Sequence, residues 1–100
     1  MKKTKEALKS FKNNYKGLLE FLKAKYPLFH NSNFFFRDFQ FGIQKYLEIK
    51  EIYISSYDAS TIAKELGKFL EEEKIFIKIN DRTWSVNDPS FQTQTPGDPF

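Results

Sequence analysis

The chain contains no cysteine in its 100 residues, which excludes a disulfide framework and any thiolate metal site. His30 is its single histidine, so a zinc site would lack the usual imidazole cluster, and we predict no metal site. No apolar run exceeds three residues, so no segment is expected to cross a membrane. The lysine-rich N-terminus is not followed by an apolar signal core, so we expect no secretory signal and a cytoplasmic location.

Catalytic motifs are also missing. The chain has only four glycines, and they form neither a phosphate-binding loop nor a nucleophile elbow. The aspartates Asp58, Asp81 and Asp88 each have a local explanation as a helix cap or turn residue. We therefore expect a protein that is not an enzyme, with no cofactor and no small-molecule substrate.

Aromatic residues, by contrast, are abundant, with twelve Phe, five Tyr and one Trp. Because each aromatic side chain buries a large area, a few of them can hold the core of a small domain. The length predicts one domain over residues 1–86. Residues 87–100 contain three prolines and no apolar periodicity, which predicts an extended tail. We expect Phe91 and Phe100 to anchor this tail on its own domain or on a neighbouring copy.

The first predicted element is one long amphipathic helix from Lys5 to Tyr26, with Thr4 as its N-cap and Pro27 ending it. An apolar face recurs at three- and four-residue steps along it. Beside that face lies a narrow basic stripe, which consists of Lys5, Lys9, Lys12, Lys16 and Lys23.

Positive charge is concentrated in this first segment. Residues 1–30 hold eight lysines against two glutamates, a balance of plus six, while the whole chain carries plus three. Such a stripe suits the phosphates of nucleic acid or of lipid headgroups. The alternative is a solvated lysine face that keeps the protein in solution, and we favour it because surface helices usually have this appearance.

A second helix is predicted from Phe34 to about Lys50, on the helical spacing of its apolar residues. Phe34 and Phe41 lie off the densest part of that apolar stripe. If exposed, they would form a patch suited to a protein partner, a membrane interface or stacked bases. The alternative, which the small size of the domain favours, is that both faces of this helix are buried.

The remaining segments predict a strand, a helix and a hairpin. The strand covers Ile52–Ser55, and Asp58 then caps a third helix that continues to about Glu73. A hairpin follows, with Ile75, Ile77 and Ile79 on one face of its first strand and a turn at residues 80–83. The predicted fold is α+β: three helices and a small antiparallel sheet in the order ααβαββ.

The helix from Ser60 to Glu73 and the hairpin from Lys74 to Val86 together resemble winged-helix domains of the helix-turn-helix class. The resemblance covers about a quarter of the chain and rests on a pattern of elements. It implies that the helix faces the DNA major groove and that Arg82 sits at the tip of the wing. The helix residues that would face the groove are Ser60, Thr61, Lys64 and Lys68.

Three functions are compatible with these features. We favour a non-catalytic interaction module or accessory subunit on a winged-helix-like scaffold, with a protein partner or self-association. The first alternative is nucleic-acid binding, in which the lysine stripe clamps phosphates. The second is attachment to an anionic membrane through the first helix.

Overall fold

In the computed structural model the protein has an α+β fold with four helices and a three-stranded antiparallel sheet. The structure describes residues 2–26 and 30–87. The elements are α1 (Lys2–Asn13), α2 (Lys16–Lys25), β1 (Asn33–Phe35), α3 (Phe36–Ile49), α4 (Ser56–Glu72), β2 (Phe76–Asn80) and β3 (Thr83–Val86).

The predicted long first helix is wrong, because the chain breaks between Asn13 and Lys16 into α1 and α2. Asparagine side chains compete for backbone hydrogen bonds, so Asn13 and Asn14 favour a break there. The break lets α1 pack on α4 while α2 packs on α3. Thr4 is not a cap, since α1 already begins at Lys2 and Thr4 is buried within it.

The third strand of the sheet is Asn33–Phe35, not the predicted Ile52–Ser55. The strands lie in the order β1-β3-β2, with β3 in the centre. Residues 52–55 instead form a loop after Glu51, whose φ of 62° reverses the chain at the end of α3. The side-chain amide of Gln44 donates to the Ile54 carbonyl over 3.0 Å. This bond gives the carbonyl the partner that a neighbouring strand would have supplied in a sheet.

The cap of α4 also differs from the prediction. Ser55 occupies the N-cap position, and its Oγ accepts a hydrogen bond from the Asp58 backbone N–H over 3.0 Å. Asp58 lies in the first turn, where its carboxylate complements the positive end of the helix dipole. The helix therefore begins three residues earlier than Asp58 predicts.

An aromatic cluster joins the sheet to α3 and α4. Phe34, Phe39, Phe76 and Trp84 meet through ring contacts with centroids 4.8–6.0 Å apart. The Trp84 ring lies against Gly67, where an added Cβ would come within 2.6 Å of a ring carbon. On the same helix, Glu71 Oε2 accepts the Trp84 indole N–H over 2.7 Å.

The predicted tail falls almost wholly outside the described part of the chain, which ends at Asn87. The predictions for Phe91 and Phe100 therefore concern residues that the structure does not describe.

Substituting Gly67→Ala should destabilise the fold. Overpacking a core costs about 1–3 kcal/mol, which exceeds the roughly 1 kcal/mol that alanine gains over glycine within a helix. Gly17→Ala is the matched control, since its Cβ would meet only the Tyr46 hydroxyl, at 3.0 Å. Urea unfolding should show a clear loss for Gly67→Ala and a smaller change for Gly17→Ala. Equal stability of the two variants would contradict the Trp84 packing described here.

Candidate interaction surface

The sheet has one face in the core and one face towards solvent. Because side chains alternate along a strand, the register decides which residues share a face. Phe34 pairs with Trp84, and both are buried on the inner face. Phe35 pairs with Thr83, and Ser85 pairs with Ile77, so these residues belong to the outer face.

Large apolar side chains are exposed on this outer face. Phe35 on β1 is 51% exposed, and Ile77 on β2 is 45% exposed. Ile79, which lies next to Ile77's face in the bulge between Lys78 and Asn80, is 52% exposed. Only β3 separates the two strands, so their backbones lie about 10 Å apart. We call these three residues the outer-face patch. Thr83 lies between them on the central strand and is buried despite its hydroxyl.

A groove with a volume of about 470 Å³ opens beside the patch, where β1 leads into α3. We call it the arginine groove, because both arginines of the chain line it. Its lining residues are Phe35, Phe36, Arg37, Gln40 and Arg82.

Backbone hydrogen bonds hold the two sides of this groove together. The Phe36 N–H donates to the Arg82 carbonyl over 2.8 Å, which ties the start of α3 to the β2–β3 turn. Within that turn the Arg82 N–H donates to Asn80 Oδ1, also over 2.8 Å. The Arg37 guanidinium lies 5.8 Å from the Phe41 ring centroid, within the range of a cation–π contact. The backbone of Arg82 and the side chain of Arg37 are therefore each held by contacts beside the groove.

The groove is electropositive. Neither guanidinium has a carboxylate partner among the described residues, in which the ion pairs are Lys45–Glu48 and Lys78–Asp81. Asp38 follows Arg37 in the first turn of α3 but does not line the groove. Instead it acts on Tyr26, whose pKa is raised above its usual value first by burial and second by the Asp38 charge.

The structure corrects one predicted contact residue and supplies another. Phe34 is only 2% exposed and packs in the aromatic cluster, so it cannot serve as a surface contact. Its neighbour Phe35 takes that place. Because the residues of β1 read Asn-Phe-Phe, no alternation of polarity in the sequence separates the two rings. Phe41 is 44% exposed, as the hypothesis of a surface phenylalanine requires.

The predicted basic residues do not assemble around one helix and a wing. Arg82 lies beside Arg37 in the arginine groove, which no residue of α4 lines. On α4, Lys64 and Lys68 are exposed one turn apart, whereas Ser60 and Thr61 are half-buried. The Thr61 hydroxyl donates to the Tyr57 carbonyl over 3.2 Å.

The lysine stripe is divided by the break between α1 and α2. Its α1 members and the first residue of α2 are exposed, namely Lys5, Lys9, Lys12 and Lys16. Lys23, further along α2, is half-buried. Lys12 lies 5.8 Å from the ring centroid of Phe69 on α4, so this edge of α1 runs beside α4. The stripe therefore remains on the surface but in two separately oriented pieces.

A second groove, also of about 470 Å³, lies between α1 and the end of α3. Apolar walls from Phe11, Tyr46 and Ile52 alternate with the oppositely charged Glu6 and Lys50. Because its charges balance, this groove does not select for the charge of a ligand.

Metal sites and membrane spans are not found in the described ranges. No group of three or more His, Asp or Glu side chains in residues 2–26 and 30–87 is placed to hold a metal ion. Over the same ranges, the helices are too short or too polar to span a bilayer.

No protein-family model matches the chain, and neither a curated protein nor a solved structure matches it. The winged-helix resemblance therefore stays a prediction from the pattern of residues 60–86.

The two neighbouring phenylalanines of β1 should differ sharply in their contribution to stability. Phe34→Ala removes a fully buried ring and should lower the free energy of unfolding by about 3–5 kcal/mol. Phe35→Ala acts on an exposed ring and should change it by less than about 1 kcal/mol. Denaturant unfolding monitored through Trp84 fluorescence measures both. A larger loss for Phe35→Ala than for Phe34→Ala would show that the two faces of the sheet are assigned the wrong way round.

Proposed function

We propose that the protein is a non-catalytic interaction module that binds an extended, negatively charged segment of a partner protein on the outer face of its sheet. The observation that carries the proposal is the exposure of Phe35 and Ile77 on one sheet face, with exposed Ile79 in the adjoining bulge of β2. Apolar side chains that a small domain leaves together on its surface are typical of a binding site. A winged-helix-like scaffold is compatible with this role, since a fold does not determine a function.

The outer-face patch is not needed to form the core. The inner face of the same sheet already buries Phe34, Phe76 and Trp84 against the helices. Phe35 and Ile77 on the opposite face add exposed apolar area that folding alone does not require. A partner that covered them would gain about 25 cal/mol for each Å² of apolar surface removed from water.

The two arginines beside Phe35, at one end of the outer-face patch, favour a partner segment with negative charge. Arg37 and Arg82 lie where β1 enters α3, next to Phe35. An apolar segment crossing the patch would meet these two positive charges as it passes the groove. Complementary charge fixes the register and speeds association, so an acidic residue at that point favours binding.

Nucleic acid is the second candidate, and the exposed lysines of α1 favour it. Lys5, Lys9 and Lys12 recur at helical spacing on a solvated edge. Phosphates along a strand would pair with such a row, and binding would weaken steeply as salt rises. Arg82, however, lies with Arg37 in a groove lined by β1, α3 and the β2–β3 turn, so a winged-helix contact through the α4 lysines would not use that groove.

Selection from a random peptide library on the immobilised protein tests the proposal. We expect enriched peptides with alternating apolar residues and at least one acidic residue, binding with micromolar affinity. The triple variant Phe35→Ser, Ile77→Thr, Ile79→Thr should bind them at least about tenfold more weakly, because each lost apolar contact contributes about 1 kcal/mol or more.

The matched control changes exposed apolar residues elsewhere, through Ile49→Thr and Tyr57→Thr, and should leave the affinity unchanged. Equal binding of enriched peptides to the wild type and the triple variant would refute the proposal. So would fluorescence anisotropy showing tight, salt-sensitive binding of single-stranded or duplex nucleic acid that Lys9→Gln and Lys12→Gln abolish while the triple variant retains it.

A further inference from the structure

We infer that the arginine groove is an oxyanion site, in which Arg37 and Arg82 bind a phosphate ester or carboxylate group whose attached apolar portion packs against Phe35. The inference deepens the proposed function and rests on it for the placement of the partner. It specifies which chemical group of a bound segment the groove recognises.

Two arginines from different elements line the same groove. Arg37 is the second residue of α3 and Arg82 belongs to the β2–β3 turn, and the groove that both line has a volume of about 470 Å³. Each guanidinium carries a planar set of donors that matches the oxygens of a carboxylate or phosphate. No carboxylate in the described ranges pairs with either, so both remain available for an external anion.

The start of α3 also favours an anion. Phe35 occupies its N-cap position and provides no side-chain cap. The N–H of Phe36, the first residue of the helix, donates to the Arg82 carbonyl. The next N–H groups lie in the first turn, where backbone donors have no acceptor within the helix. A helix N-terminus in this state attracts anions through its free donors and its dipole.

Arg37 itself lies in the first turn of α3. A positive side chain in the first turn opposes the helix dipole and disfavours the helix. Arg82 adds a second positive charge at the same place. Asp38, the one acidic residue in the first turn, does not line the groove. The positive charge gathered there is unfavourable for folding alone, and a bound anion would remove the conflict.

The walls of the arginine groove also suit a ligand that is partly apolar. Phe35 and Phe36 contribute rings beside the guanidiniums, while Gln40 contributes an amide. The Gln40 Nε2 donates to the Ser56 carbonyl over 3.3 Å, which ties this wall of the groove to the start of α4. A ligand with an anionic group and an attached apolar portion, such as an aromatic ring, would pack its apolar portion against the phenylalanines and place its charge beside the arginines. The groove volume falls within the range of sites that hold small molecules.

Titration with small anions tests the inference without any partner. Phenyl phosphate, benzoate and neutral benzyl alcohol would be added separately to the ¹⁵N-labelled protein at low ionic strength. We expect saturable shifts of the Phe36, Arg37 and Arg82 amide signals and of the arginine side-chain N–H signals with both anions, and no saturation with benzyl alcohol. Tighter binding of phenyl phosphate than of benzoate would identify a phosphate ester as the preferred source of the oxyanion; equal binding would identify a carboxylate as sufficient.

Arg37→Gln and Arg82→Gln should each weaken the binding of phenyl phosphate about tenfold or more, because each removes a charge-assisted hydrogen bond. Both arginines are exposed and their charge opposes the α3 dipole, so these variants should be at least as stable as the wild type. The control variant Lys64→Gln, Lys68→Gln lowers the net charge twice as much as either and should bind normally.

Three outcomes would overturn the inference: no saturable shift with either anion, shifts concentrated on the lysines of α1 or α4, or unchanged affinity in both arginine variants. Each is distinct from a failure of the proposed function. Peptides that require Phe35, Ile77 and Ile79 could still be selected if the groove bound no anion, and the groove could bind phenyl phosphate if no peptide used the patch.

Discussion

The contact between Trp84 and Gly67 is the constraint on which the rest of the structure depends. Trp84 lies on the central strand, and its ring fits against α4 only because residue 67 has no side chain. The Glu71 carboxylate then accepts the indole N–H, so the polar edge of the ring is satisfied at the edge of the core. Once this ring is placed, the inner face of the sheet is fixed, and Phe34 and Phe76 must pack beside it.

The opposite face of the sheet follows from the same register. The strand residues that alternate with the aromatic cluster belong to the outer face, which puts Phe35 and Ile77 on the outside. The β2–β3 turn then brings Arg82 to the start of α3, where the hydrogen bond from Phe36 holds it. The patch and the arginine groove are therefore consequences of the core packing, and Phe36 belongs to both the groove wall and the edge of the core.

Some of this was predictable from local patterns, and some was not. The helix after residue 55 and the hairpin were predictable because their apolar period and turn residues agree. The break at Asn13 was not, since the apolar and lysine spacing continues through it. β1 is three residues long, too short for a strand pattern to outweigh the helical spacing that follows, so the sequence does not show that Phe34 is buried while Phe35 is exposed. The meeting of Arg37 with Arg82 depends on strand register, which spacing along the chain does not specify.

The central claim is that one continuous surface, made of the outer-face patch and the arginine groove, contacts the partner. Cross-saturation NMR measures this directly, with the deuterated, ¹⁵N-labelled protein bound to a protonated peptide that the wild type selects. The account predicts that saturation reaches the amides of Phe35, Arg37, Ile77, Ile79 and Arg82 and leaves those of Lys64 and Lys68 unaffected. Saturation centred on α1 or α4, with the outer face of the sheet unaffected, would contradict it.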